Sequence, residues 1–402
     1  MRLMRVFFFL AILILAGCST SPSPVLPPLP LPAFKPTVAI TTQWRSKIGL
    51  GARYFYLRYK PVFLGNVGYT ADYQGGVYAF DVKTGDELWN KQLHFKLTSG
   101  LSVQGGRLLL GSNEGDVLAL DPKNGRELWR TKVSSEVLTP PLSSQGYVIV
   151  RSLDGRLYAL DAATGKRRWV FESSVPLLTL RGNSAPLIVN DMVLLGSDNG
   201  KLTALTLKGG IKLWETAIAV PTGRTELERI IDIDVDLLVV DDLVYAATYQ
   251  GRLAAVQLDN GHIRWVQKMS SYAGMTADAY RIYITDAQSQ VLALNRMSGA
   301  ILWRQAKLLR RHLTGPVLHD GYVAVADYDG YIHWLDREDG HIVGRALLND
   351  VAYLFEETWQ QDDSGYYNRE RNILANPVVY KGMLIVNNRF GIMSAYTLSS
   401  GS

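Results

Sequence analysis

A six-residue phrase, Gly-x-(Val/Leu/Ile)-x-Ala-(Leu/Phe/Val/Tyr), recurs along this chain: GGVYAF from Gly75, GDVLAL from Gly115, GRLYAL from Gly155, GKLTAL from Gly200 and GRLAAV from Gly251. Looser copies follow as SQVLAL from Ser289, GYIHWL from Gly330 and GIMSAY from Gly391. Their fifth positions are Ala79, Ala119, Ala159, Ala204, Ala255, Ala293, Trp334 and Ala395, separated by 40, 40, 45, 51, 38, 41 and 61 residues. A period near 40 to 50 built from short strand-like runs predicts an all-β, eight-bladed β-propeller of four-stranded antiparallel blades, not a helical solenoid. A length of 402 residues alone suggests two or three domains, but an internal repeat overrides that prior.

Six copies continue into Gly-x-x-x-Trp, at Gly85/Trp89, Gly125/Trp129, Gly165/Trp169, Gly210/Trp214, Gly261/Trp265 and Gly299/Trp303. Four residues before the Gly stand Asp81, Asp121, Asp161 and Asn295 in the best copies. Asx opens a turn through its own backbone and Gly supplies the left-handed residue that closes it. The chain therefore folds back into an outer strand carrying a Trp, and a ring repeated in one structural phase reads as packing between blades. Trp44 stands 45 residues before Trp89 with no inner strand ahead of it, and the last inner strand runs to the C-terminus with no Trp after it. Each end holds what the other lacks. The N-terminal strand is expected to complete the last blade and close the ring without an open edge.

Ahead of the repeats, Arg2 and Arg5 precede the apolar stretch from Val6 to Ala16, which ends in Leu15-Ala16-Gly17-Cys18. A basic start, a short apolar core and a small-residue cleavage site describe a secretory signal. Residues 19–36 carry prolines at 22, 24, 27, 28, 30, 32 and 36, the composition of a stiff, extended tether that does not pack into a sheet. The expected organisation is a signal peptide over 1–17, a modified Cys and Pro-rich tether over 18–40, and the propeller over 41–402. Cys18 is the only cysteine, which excludes a disulfide within a monomer.

The formal charge is +5. Losing Arg2 and Arg5 with the leader leaves +3, and no basic run interleaved with aromatics is present, so no nucleic-acid partner is expected. The chain has no G-x-S-x-G, no H-E-x-x-H and no P-loop, and its six histidines lack metal-ligand spacing on one helix face. No catalytic residue, metal site or cofactor is predicted.

Unusual sequence sits where the repeat is stretched. The 45-residue step contains VPLLTLRGNSAP (Val175 to Pro186) and the 51-residue step VPTGRTELERIIDIDVD (Val220 to Asp236). Both follow an outer strand and precede the next blade's first strand, so both emerge on the same face from successive blades. Enlarged loops on a rigid scaffold are where binding concentrates. Leu178 and Leu180 lead into Arg181; Asp232, Asp234 and Asp236 alternate with Ile233 and Val235 at strand period. The residues alone leave two readings open: a binding patch, or leucines as strand core and aspartates as turn formers. A calcium loop lacks the Gly and distal Glu it would need.

LTLRGNSAP, GRTELERIIDIDVD, the leader ending in Leu-Ala-Gly-Cys and the Trp-bearing blades together resemble the BamB family, lipoprotein subunits of the outer-membrane β-barrel assembly machinery built on PQQ-like repeats. The likeness runs from Trp44 through the rest of the chain. It implies lipidation of Cys18 and, with Ser19 following, sorting to the outer membrane on its periplasmic side. It further implies a non-enzymatic scaffold that binds the POTRA region of BamA beside the other Bam subunits, with unfolded outer-membrane proteins as further candidate partners. The positions matching the family's BamA-contact motif are Leu178, Leu180, Arg181, Asp232 and Asp234. One departure is the 61-residue step, with its long segment between Leu347 and Pro377, expected to be a peripheral elaboration. The blade phrase also resembles periplasmic quinoprotein dehydrogenases, the alternative reading. Those enzymes carry adjacent cysteines and a calcium site, and a chain with one cysteine cannot supply the first.

Overall fold

The Ala of each repeat phrase and the Trp ten residues later face each other across two antiparallel strands. Ala79 pairs with Trp89, Ala119 with Trp129, Ala159 with Trp169, Ala204 with Trp214, Ala255 with Trp265 and Ala293 with Trp303. Between them lies the Asx turn: the Lys83 amide donates to Asp81 Oδ1 (2.7 Å), and the Gly85 amide donates to the Asp81 carbonyl (2.8 Å) at a φ of 75°. Two further strands on the inner side complete each blade.

The structure, a computed structural model, describes residues 26–176, 178–179, 184–221, 224–225, 227–348 and 373–400. Among these, the strands form eight four-stranded sheets in sequential order. Blades 1 to 7 occupy 62–92, 102–132, 142–172, 187–217, 238–268, 274–305 and 317–347; blade 8 combines 378–400 with the strand Val38–Lys47. Among the described residues, one 3-10 turn, Leu227–Arg229, interrupts this all-β content. Each sheet buries both faces of its two middle strands against its neighbours, so the core is a ring of inter-blade layers.

The Trp rings hold the ring of blades together in a way that the repeat spacing alone does not reveal. Trp129 Nε1 donates to the Ala162 carbonyl of the next blade at 2.9 Å, Trp214 to Leu258 at 3.0 Å and Trp303 to Arg337 at 2.9 Å. Each ring also lies on the turn glycine of the next blade: a Cβ on Gly165 would stand 2.6 Å from Trp129 Cε3, and one on Gly340 would stand 2.5 Å from Trp303. The glycine therefore serves twice, for its positive φ and for the absence of a Cβ where the ring packs.

Closure follows the expectation from the chain ends. Trp44 pairs with Ala395 and donates to the Val82 carbonyl at 2.8 Å, taking the place of the missing outer-strand Trp. Blade 7 inverts the rule. Trp334 stands on the third strand opposite Gly344 on the fourth. A Cβ on Gly344 would meet Val38 at 2.7 Å and Ile40 at 3.1 Å, so this glycine admits the closing strand. Trp334 is fully buried and donates through Nε1 to His319 Nδ1 at 3.0 Å. Burial pushes the His319 imidazole below its ordinary pKa, which leaves Nδ1 bare as the acceptor while Nε2 reaches the Gly382 carbonyl (3.1 Å).

Two findings concern the segment expected as a free tether. The closing strand begins at Val38, within that segment. Ahead of it, residues 26–37 lie against blades 6 and 7: the Leu29 amide donates to the Leu309 carbonyl (3.1 Å), Arg345 Nη2 to the Pro32 carbonyl (3.0 Å), and Leu31 and Phe34 pack on the blade 6/blade 7 core. A polyproline-type segment leaves its carbonyls without internal partners, so arginines on a neighbouring surface can dock it without a sheet ladder. The long segment before blade 8, residues 349–372, lies outside the described residues.

Candidate functional site

In each blade the chain leaves the outer strand and crosses to the innermost strand of the next, and these crossings share a face with the turns between second and third strands. The connections over 173–186 and 218–237 are neighbours on this face, and they touch. The Ala185 amide of the first donates to Asp236 Oδ1 of the second at 3.2 Å. A Cβ on Gly196 would meet Ser184 Oγ from one loop at 2.7 Å and Ile233 from the other at 2.6 Å. The same-face expectation therefore stands.

Leu178 is 42% exposed, beside exposed Val175. Leu180 and Arg181 lie outside the described residues. Asp232 and Asp234 sit beneath the surface, 1% and 8% exposed, while Asp236 reaches solvent. Strand-like alternation over 231–237 sends Ile231, Ile233, Val235 and Leu237 into the core as well, so this stretch is buried on both sides. Backbone bonds fix it: the Ile233 amide donates to the Ser197 carbonyl (3.3 Å) and the Tyr249 amide to the Asp232 carbonyl (3.0 Å).

Buried carboxylates need counter-charges. Arg151, buried in blade 3, donates to Asp198 Oδ1 at 2.7 Å and to the Ser184 and Gly196 carbonyls at 3.2 and 2.8 Å. It thereby clamps the base of the first loop. Asp234 Oδ1 is buried with no hydrogen-bond partner among the described residues. Burial, and then the Asp232 carboxylate beside it, push the Asp234 carboxyl up to about 8, with Arg58 and Arg151 opposing in part. Asp234 is therefore protonated near neutral pH.

A third connection completes the face. Residues 48–61, between the closing strand and blade 1, carry Tyr54, Phe55, Tyr56, Arg58 and Lys60. Lys60 Nζ pairs with Asp236 at 2.9 Å. Phe55 stacks on Tyr73 at 3.7 Å between centroids, and the Arg58 guanidinium bonds the Tyr56 hydroxyl at 3.1 Å. Sequence reading missed this loop because it precedes the first full repeat and stretches no repeat interval; its run of aromatics and cations, ARYFYLRYK, was the available signal. Together the loops rim a central cavity of about 1300 Å³ with Phe55, Arg58, Asp234, Tyr249, Tyr272 and Asn376 in its wall. On the same three connections Tyr54, Phe55, Tyr56, Val175, Leu178, Val220 and Leu227 are exposed. Exposed apolar and aromatic side chains rimmed by charge mark a protein-interaction surface.

Among the described residues, the one grouping with ligand-like spacing is Asp336, Asp339 and His341, in the blade 7 turn. Asp339 Oδ1 there accepts from the His341 amide (3.0 Å), the ordinary turn bond of this fold.

The family profile described as "Outer membrane protein assembly factor BamB" matches residues 73–305 and 290–402. Relatives of that name include one from Pseudomonas aeruginosa, 48% identical over 84% of this chain and 89% of its own length, and one from Escherichia coli K12, 37% identical over 86% and 92%. The crystal structure of BamB from Moraxella catarrhalis superposes with a TM-score of 0.77 at 26% identity, covering 89% of this chain and all of that one. A quinohemoprotein alcohol dehydrogenase from Comamonas testosteroni shares the fold at a TM-score of 0.68 and 12% identity, over 90% of this chain and 77% of its own.

Proposed function

This chain belongs to the BamB family of outer membrane protein assembly factors, and on that premise we propose that it is a lipid-anchored periplasmic scaffold that binds the POTRA region of BamA through the connection face. The role is non-enzymatic. The dehydrogenase alternative keeps only a distant fold neighbour at 12% identity. The proposed anchor is Cys18, carried after removal of residues 1–17, and the propeller works at the periplasmic side of the outer membrane beside the other Bam subunits.

The observation that carries the reading is the junction of the two enlarged connections through Ala185 and Asp236, which turns two loops into one surface. On it Leu178 and Leu180 supply apolar anchors and Arg181 a fork of donors suited to a carboxylate or carbonyl of the partner. Asp232 and Asp234, being buried, lie beneath the contact, in a stretch of the second loop that backbone bonds hold in place. Lys60 and the aromatics of 48–61 extend the surface across the axis.

The test is affinity purification from outer membranes of tagged protein carrying Arg181→Ala, or Leu178→Ser with Leu180→Ser. Each variant, folded and exported, is expected to lose most of its BamA, while Arg167→Ala, on an outer strand, keeps it. Parent-level recovery of BamA with the patch variants would overturn the assignment. Anchoring is read separately: Cys18→Ala in a strain without BamA should move the protein to the soluble periplasm.

A further inference from the structure

The Pro-rich segment is held from Pro27 to Thr37, mainly by its backbone. From Thr37, whose amide donates to the Val343 carbonyl (2.9 Å), the chain climbs the outer strand of blade 7. Phe34 lies under the Arg345 guanidinium (4.8 Å), which also donates to the Pro32 carbonyl. Leu31 packs on the blade 6/blade 7 core. At the top the Leu29 amide bonds Leu309, Arg311 Nη1 donates to the Leu29 carbonyl (3.0 Å), and Arg310 Nε to the Pro27 carbonyl (2.7 Å). Arg311 is itself locked by Asp327 (2.7 Å) and Asp329 (2.9 Å). Three arginines thus fasten one Pro-rich strap, whose first described residues lie on the connection face between blades 6 and 7, two connections round the ring from the 218–237 loop.

We infer that this strap makes membrane attachment directional: it presents the sector around residues 306–312 to the lipid surface and turns blades 2 and 3 away. The inference rests on lipidation of Cys18 as proposed above. Reach decides it. Were the segment free from Val38 onward, 20 residue steps (38 − 18) would separate the lipidated residue from the propeller, a span of about 70 Å when extended. A compact domain of this size is roughly 55 Å across, so any face could then meet the membrane. Docked at Pro27, only nine steps (27 − 18) remain, or about 32 Å, and the far side of the ring is beyond reach. The sector also offers exposed Lys307 beside Arg310, cationic side chains suited to acidic headgroups.

The experiment uses the full lipidated chain in vesicles of phosphatidylethanolamine and phosphatidylglycerol with a nitroxide-bearing headgroup. Because Cys18 is the only cysteine and would be blocked by lipid, a fluorophore can be placed singly at Lys307→Cys or Lys123→Cys, both exposed turn positions. Quenching is expected to be severalfold stronger at 307 than at 123. Inserting a 12-residue Gly/Ser stretch after residue 25, which leaves the propeller untouched, should erase most of that difference. Arg310→Ala with Arg345→Ala should do the same by releasing the strap. Equal quenching at the two positions in the parent, or a difference unchanged by the insertion, would overturn the inference while leaving anchoring intact. Failure of the parent to float with the vesicles would overturn the anchor reading, and this one with it.

Discussion

Gly165 and Gly146 both have positive φ, 70° and 81°, yet only one faces a ring. Nothing lies within 4 Å of a Cβ on Gly146, so Gly146→Ala is expected to cost about 1 kcal/mol, the left-handed penalty alone. At Gly165 the added methyl drives into Trp129, and Gly165→Ala should cost about 1–3 kcal/mol more. Denaturant unfolding of the two variants checks this, and equal losses would mean that the Trp–Gly contact does not secure the blades. Asp234 gives a second residue-scale prediction. Its folded-state pKa of about 8 lies above the unfolded value near 3.9. Between those values the folded state binds the extra proton, so this group's contribution to stability falls as pH rises, by at most about 1.4 kcal/mol per pH unit. Asp234→Asn removes that dependence. The melting temperature of the variant relative to parent should climb from pH 5 to pH 8 and then level off; a flat difference would contradict the buried, protonated carboxyl.

Among the elements, the closing strand and the strap make separable contributions. Deleting residues through 37 removes the strap's arginine bonds and the cover from Leu31 and Phe34, and is expected to lower the melting temperature by a few degrees. Deleting through Lys47 also removes Trp44 and the whole outer strand of blade 8, exposes an edge, and should abolish cooperative unfolding. If the two truncations melt alike, the ring does not depend on its N-terminal strand. Much of this architecture was legible in the chain because the Ala and Trp positions repeat at fixed spacing and the unmatched Trp44 marks the closure. The strap was not legible, since distant arginines hold it through its own carbonyls and no side-chain period announces them. Nor was the blade 7 inversion, where Gly344 takes the Trp position for the sake of Val38 and Ile40. The 48–61 loop escaped notice because Lys60 and Asp236 meet across 176 residues of sequence.

For the whole molecule, a ring of blades carries short turns on one face and, on the other, the connections that differ from blade to blade. The core is uniform and the binding chemistry is local, so loss of function should separate from loss of fold. The most direct measurement is calorimetric titration of the purified, unlipidated propeller with the periplasmic region of BamA, alongside melting curves for each variant. Leu178→Ser with Leu180→Ser, on the connection face, is expected to weaken binding by about 2 kcal/mol or more, roughly 30-fold, at an unchanged melting temperature. Arg167→Ala, on an outer strand, should bind as the parent does. Parent-like affinity in the double variant, or an equal loss at Arg167, would contradict a partner site built on the joined connections.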